Sequence, residues 1–248
     1  MAIDFSTSFE AGVTTGWTDT SATPPTEDAV TVFDGAKSMR GDFGVVAQWV
    51  RRYYTTEPSV ASCRVFYYLD SCDASNTMAI VNATKLAAAG ATEIAVVTDG
   101  SGNPSFRLEI WDGAVSHIPA TIPFSLDTWY RIEMKVDLSG SPMKVTFGTA
   151  TGNGALTTHY TDYADGNSIT SGLVDYWLLG SPYGAGAIAY FDAFSMGEAA
   201  DYPIGPLVVA GQTLLPDADT TTTGWTTTPL FSKVNDASDA TVITATAA

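Results

Sequence analysis

The segment Arg131-Ile132-Glu133-Met134-Lys135-Val136-Asp137 alternates charged and apolar residues without a break. A period of two places Ile132, Met134 and Val136 on one face of an extended chain and the charges on the other, a pattern that no helix can bury. Phe106-Arg107-Leu108-Glu109-Ile110 repeats it. Arg64–Leu69 sets Val65, Tyr67 and Leu69 on one side, Phe66 and Tyr68 on the other. Asp4–Glu10, Val30–Phe33, Met78–Asn82, Ile94–Thr98, Lys144–Phe147, Leu173–Leu179 and Ile188–Met196 are further predicted strands. Only the Ala-rich stretch from Ala83 to Ala89, ending at Gly90, has helical propensity.

Turn clusters separate these runs: Asp34-Gly35, Asp99-Gly100-Ser101-Gly102-Asn103-Pro104, Asp112-Gly113, Ser139-Gly140-Ser141-Pro142 and Asp165-Gly166-Asn167. Asp99–Pro104 reads as a hairpin loop, with Gly and Asn supplying positive φ. Many strands at this spacing, several apolar on both faces, predict an all-β chain of two packed sheets.

Charge narrows the partners. The 248 residues carry 11 Lys+Arg against 27 Asp+Glu, a net charge of −16. Nucleic acid and anionic membrane surfaces are excluded as partners, because no surplus of cations exists to meet phosphates. Hydrophobic residues at 45% with only 15% charged exclude disorder for most of the length. Met1 is followed by neither a basic nor an apolar leader region, so cytosolic synthesis without a signal peptide is expected. No apolar run is long enough to cross a membrane as a helix. Cys63 and Cys72 flank one extended strand, too far apart for a disulfide, and are expected to be free thiols.

Familiar catalytic and metal motifs are missing. His117 and His159 are the only histidines, and no Cys/His cluster forms a zinc pattern. Asp99–Asn103 starts like a calcium loop, but Ile110 stands where the bidentate acid belongs. Calcium held between separate loops stays open. There is no Gly-x-Ser-x-Gly elbow and no HExxH helix. Gly184–Ala189 resembles a dinucleotide fingerprint yet leads into a strand, leaving no helix terminus for a pyrophosphate. Among carboxylates, Glu109 and Asp112 point to opposite faces, while Glu133 and Asp137 flank Lys135 in the manner of a solvated strand. Arg40-Gly41-Asp42 reads as a chance tripeptide. Tyr160, Tyr163 and Tyr183 are the loop aromatics best placed to stack on sugar rings.

Thr14-Thr15-Gly16-Trp17-Thr18 returns as Thr222-Thr223-Gly224-Trp225-Thr226. A Pro/Gly exit at Tyr202–Pro206 precedes it, so the expected division is a domain over 1–203 and a β-rich arm over 204–248. About forty residues seldom fold alone. Trp225, Leu230 and Phe231 are therefore the expected anchors of an arm completed against a second chain or the first domain.

The run Phe124–Glu133, continuing into an alternating strand, a Ser-Gly turn and Met143–Phe147, resembles the laminin-G-like branch of the concanavalin A-like jelly rolls. Tyr190–Ser195 resembles the late strand of that fold. The resemblance covers roughly residues 1–200 and implies a two-sheet antiparallel jelly-roll sandwich. The Tyr202–Pro206 exit and the second Gly-Trp motif are similar to tail and head-surface proteins of tailed bacteriophages. That similarity implies a structural virion protein, made in the host cytoplasm and displayed on the virion surface. It would assemble as a homo-oligomer with other virion proteins, with host-glycan adhesion as a further role; a lectin-like carbohydrate-binding module is the alternative, and a glycoside-cleaving enzyme using Glu109 and Glu133 a third, weaker reading. The Glu-x-Asp strand motif of glycosidase relatives is absent, so a protein that is not an enzyme is expected, with no catalytic residue, metal ligand or cofactor assigned.

Overall fold

A computed structural model describes residues 3–44, 46–74, 76–85, 90–184, 186–198 and 202–207. Among these described residues, sixteen strands follow in order: β1 (Ile3–Thr7), β2 (Asp19–Thr20), β3 (Thr26–Asp28), β4 (Ser38–Asp42), β5 (Gln48–Tyr53), β6 (Val60–Cys72), β7 (Thr77–Lys85) and β8 (Ala91–Thr98). Then come β9 (Pro104–Trp111), β10 (Ser116–His117), β11 (Ile122–Pro123), β12 (Trp129–Asp137), β13 (Lys144–Thr151), β14 (Thr157–Tyr163), β15 (Val174–Ser181) and β16 (Ala187–Glu198). No helix occurs among the described residues.

The strands form two antiparallel sheets packed as a sandwich, as the alternation predicts. One runs β14-β13-β12-β6-β16-β4-β3, with β1 also pairing β16. The other runs β10-β9-β8-β7-β15-β5-β2, with β11 also pairing β9. Strands adjacent in space are often distant in sequence, β16 with β6 for example, as in a jelly roll. Val65, Tyr67, Leu69, Ile132, Met134 and Val136 from the first sheet meet Ile94, Phe106, Leu108 and Ile110 from the second in one core. The predicted inward faces of β12 and β9 are therefore the observed ones, and of the two sides of β6 it is Val65, Tyr67 and Leu69 that enter the core. A buried hydrogen-bond relay joins the sheets: Trp177 Nε1 donates to Tyr54 Oη at 2.8 Å, and Tyr54 Oη to the Gly197 carbonyl at 3.0 Å.

The outer face of the first sheet departs from expectation. Arg131 is 2% exposed and Glu133 0%, so the strand read as solvated is buried on both sides. The segment carrying Val30–Phe33 forms no strand, contrary to the prediction. It lies as a loop on this face, its Phe33 ring stacked on Phe66 at 3.9 Å. Asp192 holds that loop by accepting the N–H groups of Phe33 and Asp34 at 3.0 Å each. Residues 202–207 cover a second strip: Arg64 donates to the Gly205 carbonyl at 3.0 Å, and Gly205 N–H to Glu133 Oε1 at 3.1 Å. Arg131 Nε sits 2.9 Å from Glu133 Oε1, pairing the buried charges. Sequence spacing cannot show such coverage, because both covering segments arrive from far along the chain.

The chain divides into two compact units, Met1–Leu207 and Val208–Ala248. Residues 204–207, assigned from sequence to the arm, fall within the first of these units. Trp225, Leu230 and Phe231 lie outside the described residues, as does the Leu86–Ala89 part of the expected helical stretch; Ala83–Lys85 belong to β7. Cys63 and Cys72 are free thiols at either end of one strand pattern.

Candidate functional site

Register determines what the second sheet shows on its outer face. Leu108 and Ile110 of β9 enter the core, so Arg107, Glu109 and Trp111 face outward. The same alternation turns Ala91, Glu93 and Ala95 of β8 outward, with Asn82 and Thr84 of β7, Tyr176 and Leu178 of β15, and Trp49, Arg51 and Tyr53 of β5. Cross-strand pairing sorts them into rows running across the strands. Trp111, Ala91, Thr84, Tyr176 and Tyr53 pair in succession, an aromatic row with small residues between the rings. Beside it, Glu109, Glu93, Asn82, Leu178 and Arg51 pair in succession, ending on Asp19 of β2. From β9 to β5 each row crosses about 19 Å of sheet. Trp111 is 41% exposed and Tyr183 38%, so solvent reaches this face.

Glu93 and Glu109 are direct cross-strand partners. Such a register brings Cβ atoms to about 4.5–5.5 Å. Each carboxylate has its own donors. Tyr183, in the loop after β15, reaches over β7 and donates to Glu93 Oε1 at 2.8 Å. The Tyr183 carbonyl in turn accepts Ser181 Oγ at 2.7 Å. Thr84 Oγ1 donates to Asn82 Oδ1 at 3.2 Å, which leaves the Asn82 amide to donate toward Glu93. Arg107 Nη2 lies 2.7 Å from Glu109 Oε2, and Ser116 Oγ donates to Glu109 Oε1. Burial pushes the Glu93 carboxyl above the usual carboxylate range and the nearby Glu109 charge adds to this, while Tyr183, Arg107 and Asn82 oppose it. Burial also raises the Tyr183 phenol, with the Glu93 charge acting in the same direction.

At the β5 end, the Arg51 guanidinium lies 5.1 Å from the Trp49 ring centroid, 5.0 Å from Tyr53 and 4.9 Å from Tyr176. Cation–π attraction of about 0.5–1 kcal/mol at exposed sites orders these rings against one cation. Arg51 is also ion-paired to Asp19. Gly180 lies across from Trp49 with φ +100°, and a Cβ there would sit 2.5 Å from the Gln48 carbonyl oxygen, so only glycine lets β15 lie this close to β5.

The three tyrosines chosen from sequence do not form one platform. Tyr160 and Tyr163 stand on strand β14 rather than in a loop, half-buried against the core, with ring centroids 5.7 Å apart. The Tyr160 hydroxyl donates to the Ala120 carbonyl, and that of Tyr163 to Asp165 Oδ2 at 3.1 Å. Only Tyr183 belongs to the outer face of the second sheet, where its hydroxyl serves a carboxylate. Asp112 is a loop organiser. It accepts the Ala114 and Val115 N–H groups at 3.0 and 2.8 Å and lies 3.1 Å from His117 Nε2, contacts that hold its carboxyl well below the usual range. The Asp99–Asn103 segment is the predicted hairpin, its turn closed by Ser101 and Asn103 N–H bonds to Asp99 Oδ1. Among the described residues, no three His, Cys, Asp or Glu side chains gather where a metal ion could be held.

Reasoning from sequence missed Glu93, Asn82, Trp49, Tyr53 and Tyr176 as one surface. The available signal was the alternation in β8 and β9, which puts Glu93 and Glu109 on outward faces. Their pairing needs the hairpin register.

The fold defines a two-sheet jelly-roll sandwich, and solved structures share it. Cellulose induced protein Cip1 superposes with a TM-score of 0.56 at 14% identity, over 78% of this chain and 96% of its own. An alginate lyase, Aly36B, crystallised as a mutant with alginate trisaccharide, gives 0.47 at 12% identity over 65% and 81%. A xylan β-1,4-xylosidase from Bacillus halodurans C-125 gives 0.48 at 10% identity over 65% and 33%. No protein-family model and no curated protein matches the chain. The expectation of a non-enzyme is corrected: it rested on the absence of a linear motif, and in this fold two carboxylates stand opposite each other across strands, Glu93 against Glu109. The absence of a familiar linear motif therefore does not exclude catalysis. The physical reason is visible in β8 and β9, where two carboxylates meet across strands rather than along one.

Proposed function

We propose that the protein is a glycan-recognising β-sandwich that binds a neutral oligosaccharide across the outer face of its second sheet. The observation that carries this reading is the pair of rows. Trp111, Tyr176 and Tyr53 set aromatic side chains in one cross-strand row, and Glu109, Glu93, Asn82 and Arg51 set hydrogen-bond groups in the row beside them. Sites for small ligands combine apolar faces with a few placed polar groups, and a sugar ring presents both kinds of surface. Both cations on the face, Arg51 and Arg107, already pair with Asp19 and Glu109. An acidic glycan would thus meet an excess of carboxylates. The test is calorimetric titration of the full chain with soluble neutral oligosaccharides, comparing wild type with Trp111→Ala and Tyr176→Ala. Saturable binding weakened by both substitutions supports the reading, and binding indifferent to both overturns it. A tailed-phage virion as the setting, with self-association there, rests on the sequence resemblance alone; none of the solved structures named above adds to it.

A further inference from the structure

We propose that a cleft between β13 and β14 of the first sheet and β11 of the second binds a single neutral sugar ring. This site is separate from the outer-face rows of the second sheet and does not rest on that reading. An irregularity in an edge strand builds it. Thr149 stands opposite Thr157 and Gly148 opposite Thr158, but Phe147 stands opposite Tyr160. The extra residue, His159, is thereby turned to the same side as Tyr160. Both rings lie beside Phe147, with centroids 5.6 and 6.5 Å from it. Bulges of this kind re-aim side chains and are over-represented next to active sites. Here the bulge sets His159 Nε2 at 2.7 Å from Thr149 Oγ1 on the neighbouring strand.

The cleft has a volume of about 340 Å³. Ligand pockets run from about 300 to 1,000 Å³, so this one has room for one ring rather than a chain. Its polar groups are the hydroxyls of Thr149, Thr151, Thr157 and Tyr130 and the His159 imidazole, while Ile122 and Pro123 bring apolar surface from the other sheet. Among the described residues that line it, none is an acid, a lysine or an arginine. Burial holds the His159 imidazole below its usual range, so it is uncharged at neutral pH. An ion of either sign would give up hydration here with no opposite charge to replace it. A sugar ring carries hydroxyls on its edge and C–H groups on its faces, which suits this division of the walls. The walls are also fixed in advance. The Tyr160 hydroxyl donates to the Ala120 carbonyl just before β11, and Tyr130 Oη accepts the Ser125 N–H at 3.1 Å. Groups already held in place cost less to order when a ligand arrives.

The experiment follows the imidazole signals of the full chain by NMR as glucose, galactose, mannose or xylose is added, with glycerol as a control. His117, beside Asp112 and outside the cleft, serves as an internal reference. The expected result is that at least one sugar shifts the His159 signals to saturation and leaves those of His117 in place. Trp111→Ala keeps that affinity within about twofold, because the outer face takes no part. Thr157→Val removes one hydroxyl at an exposed position with its shape kept, and weakens the affinity by about three-fold or more. His159 signals that answer to none of the four sugars overturn the site, as does an equal answer to glycerol. An affinity unmoved by Thr157→Val takes the sugar out of the cleft. A response abolished by Trp111→Ala belongs to the outer face of the second sheet and overturns a separate site.

Discussion

The Tyr183 hydroxyl donates to Glu93 Oε1 at 2.8 Å, tying the loop after β15 to a carboxylate two strands away. This bond favours the ionised form of Glu93 and opposes the upward push of burial. Tyr183→Phe removes the donor and keeps the ring. The Glu93 carboxyl is then expected to titrate at higher pH than in wild type, followed by NMR of the carboxyl carbon. A downward move would show that the bond serves the protonated form instead.

Asp192 is 0% exposed, and burial raises its carboxyl from 3.8 to about 6, against three N–H bonds that pull the other way. Between those two values the folded chain binds more protons than the unfolded chain, so stability falls as pH rises through the window. Urea denaturation across that range is expected to show this slope in wild type and a flatter one in Asp192→Asn. Equal slopes for the two proteins would remove Asp192 as the cause.

Glu133 is buried beside Arg131, which is 2% exposed, and accepts the Gly205 N–H at 3.1 Å. Glu133→Ala leaves a buried guanidinium without its partner, at a cost of about 3–5 kcal/mol. Chemical denaturation reads the loss directly. A change below about 0.5 kcal/mol, the scale of ordinary surface substitutions, would mean that water or another group takes over the Arg131 charge.

Trp177 is fully buried and its Nε1 donates to Tyr54 Oη at 2.8 Å. Trp177→Phe deletes that donor and leaves a gap in the core. The expected loss is about 2–4 kcal/mol, combining an unmade hydrogen bond with lost packing. The midpoint in urea should fall with the slope unchanged, because the compactness of the native state is retained.

Trp111 has an open ring at one end of the aromatic row. Trp111→Ala is expected to weaken oligosaccharide binding by roughly ten-fold, about 1.4 kcal/mol, with little change in folding stability. Calorimetric titration and thermal unfolding on the same samples separate the two effects.

Much of the scaffold was legible along the chain. The unbroken alternation from Arg131 to Asp137 and from Phe106 to Ile110 identified inward faces that the core then uses, because a period of two leaves few alternatives once one face is apolar. The Asp99–Asn103 hairpin was legible for a similar reason: Asp99 closes its own turn through nearby N–H groups. Where a neighbour's identity mattered, the reading went astray. Glu133 looked solvated because nothing within a few residues shows that Tyr202–Leu207 returns to cover it. Val30–Phe33 looked like a strand because an apolar run reads the same whether it pairs edge to edge or lies flat on a sheet, as Phe33 does on Phe66.

By itself, then, the sequence determined the all-β class, the two-sheet sandwich, and the alternation that turns Arg107 and Glu109 to the face opposite Leu108 and Ile110. These are local properties, set by side-chain period, turn chemistry and the scarcity of helix formers. Only the tertiary structure decided that Glu93 meets Glu109, that Tyr183 rather than Tyr160 or Tyr163 reaches them, and that Trp111, Tyr176 and Tyr53 line up across strands. Hydrogen-bond register couples residues that sequence distance keeps apart, and no pattern along one strand records which residue stands opposite.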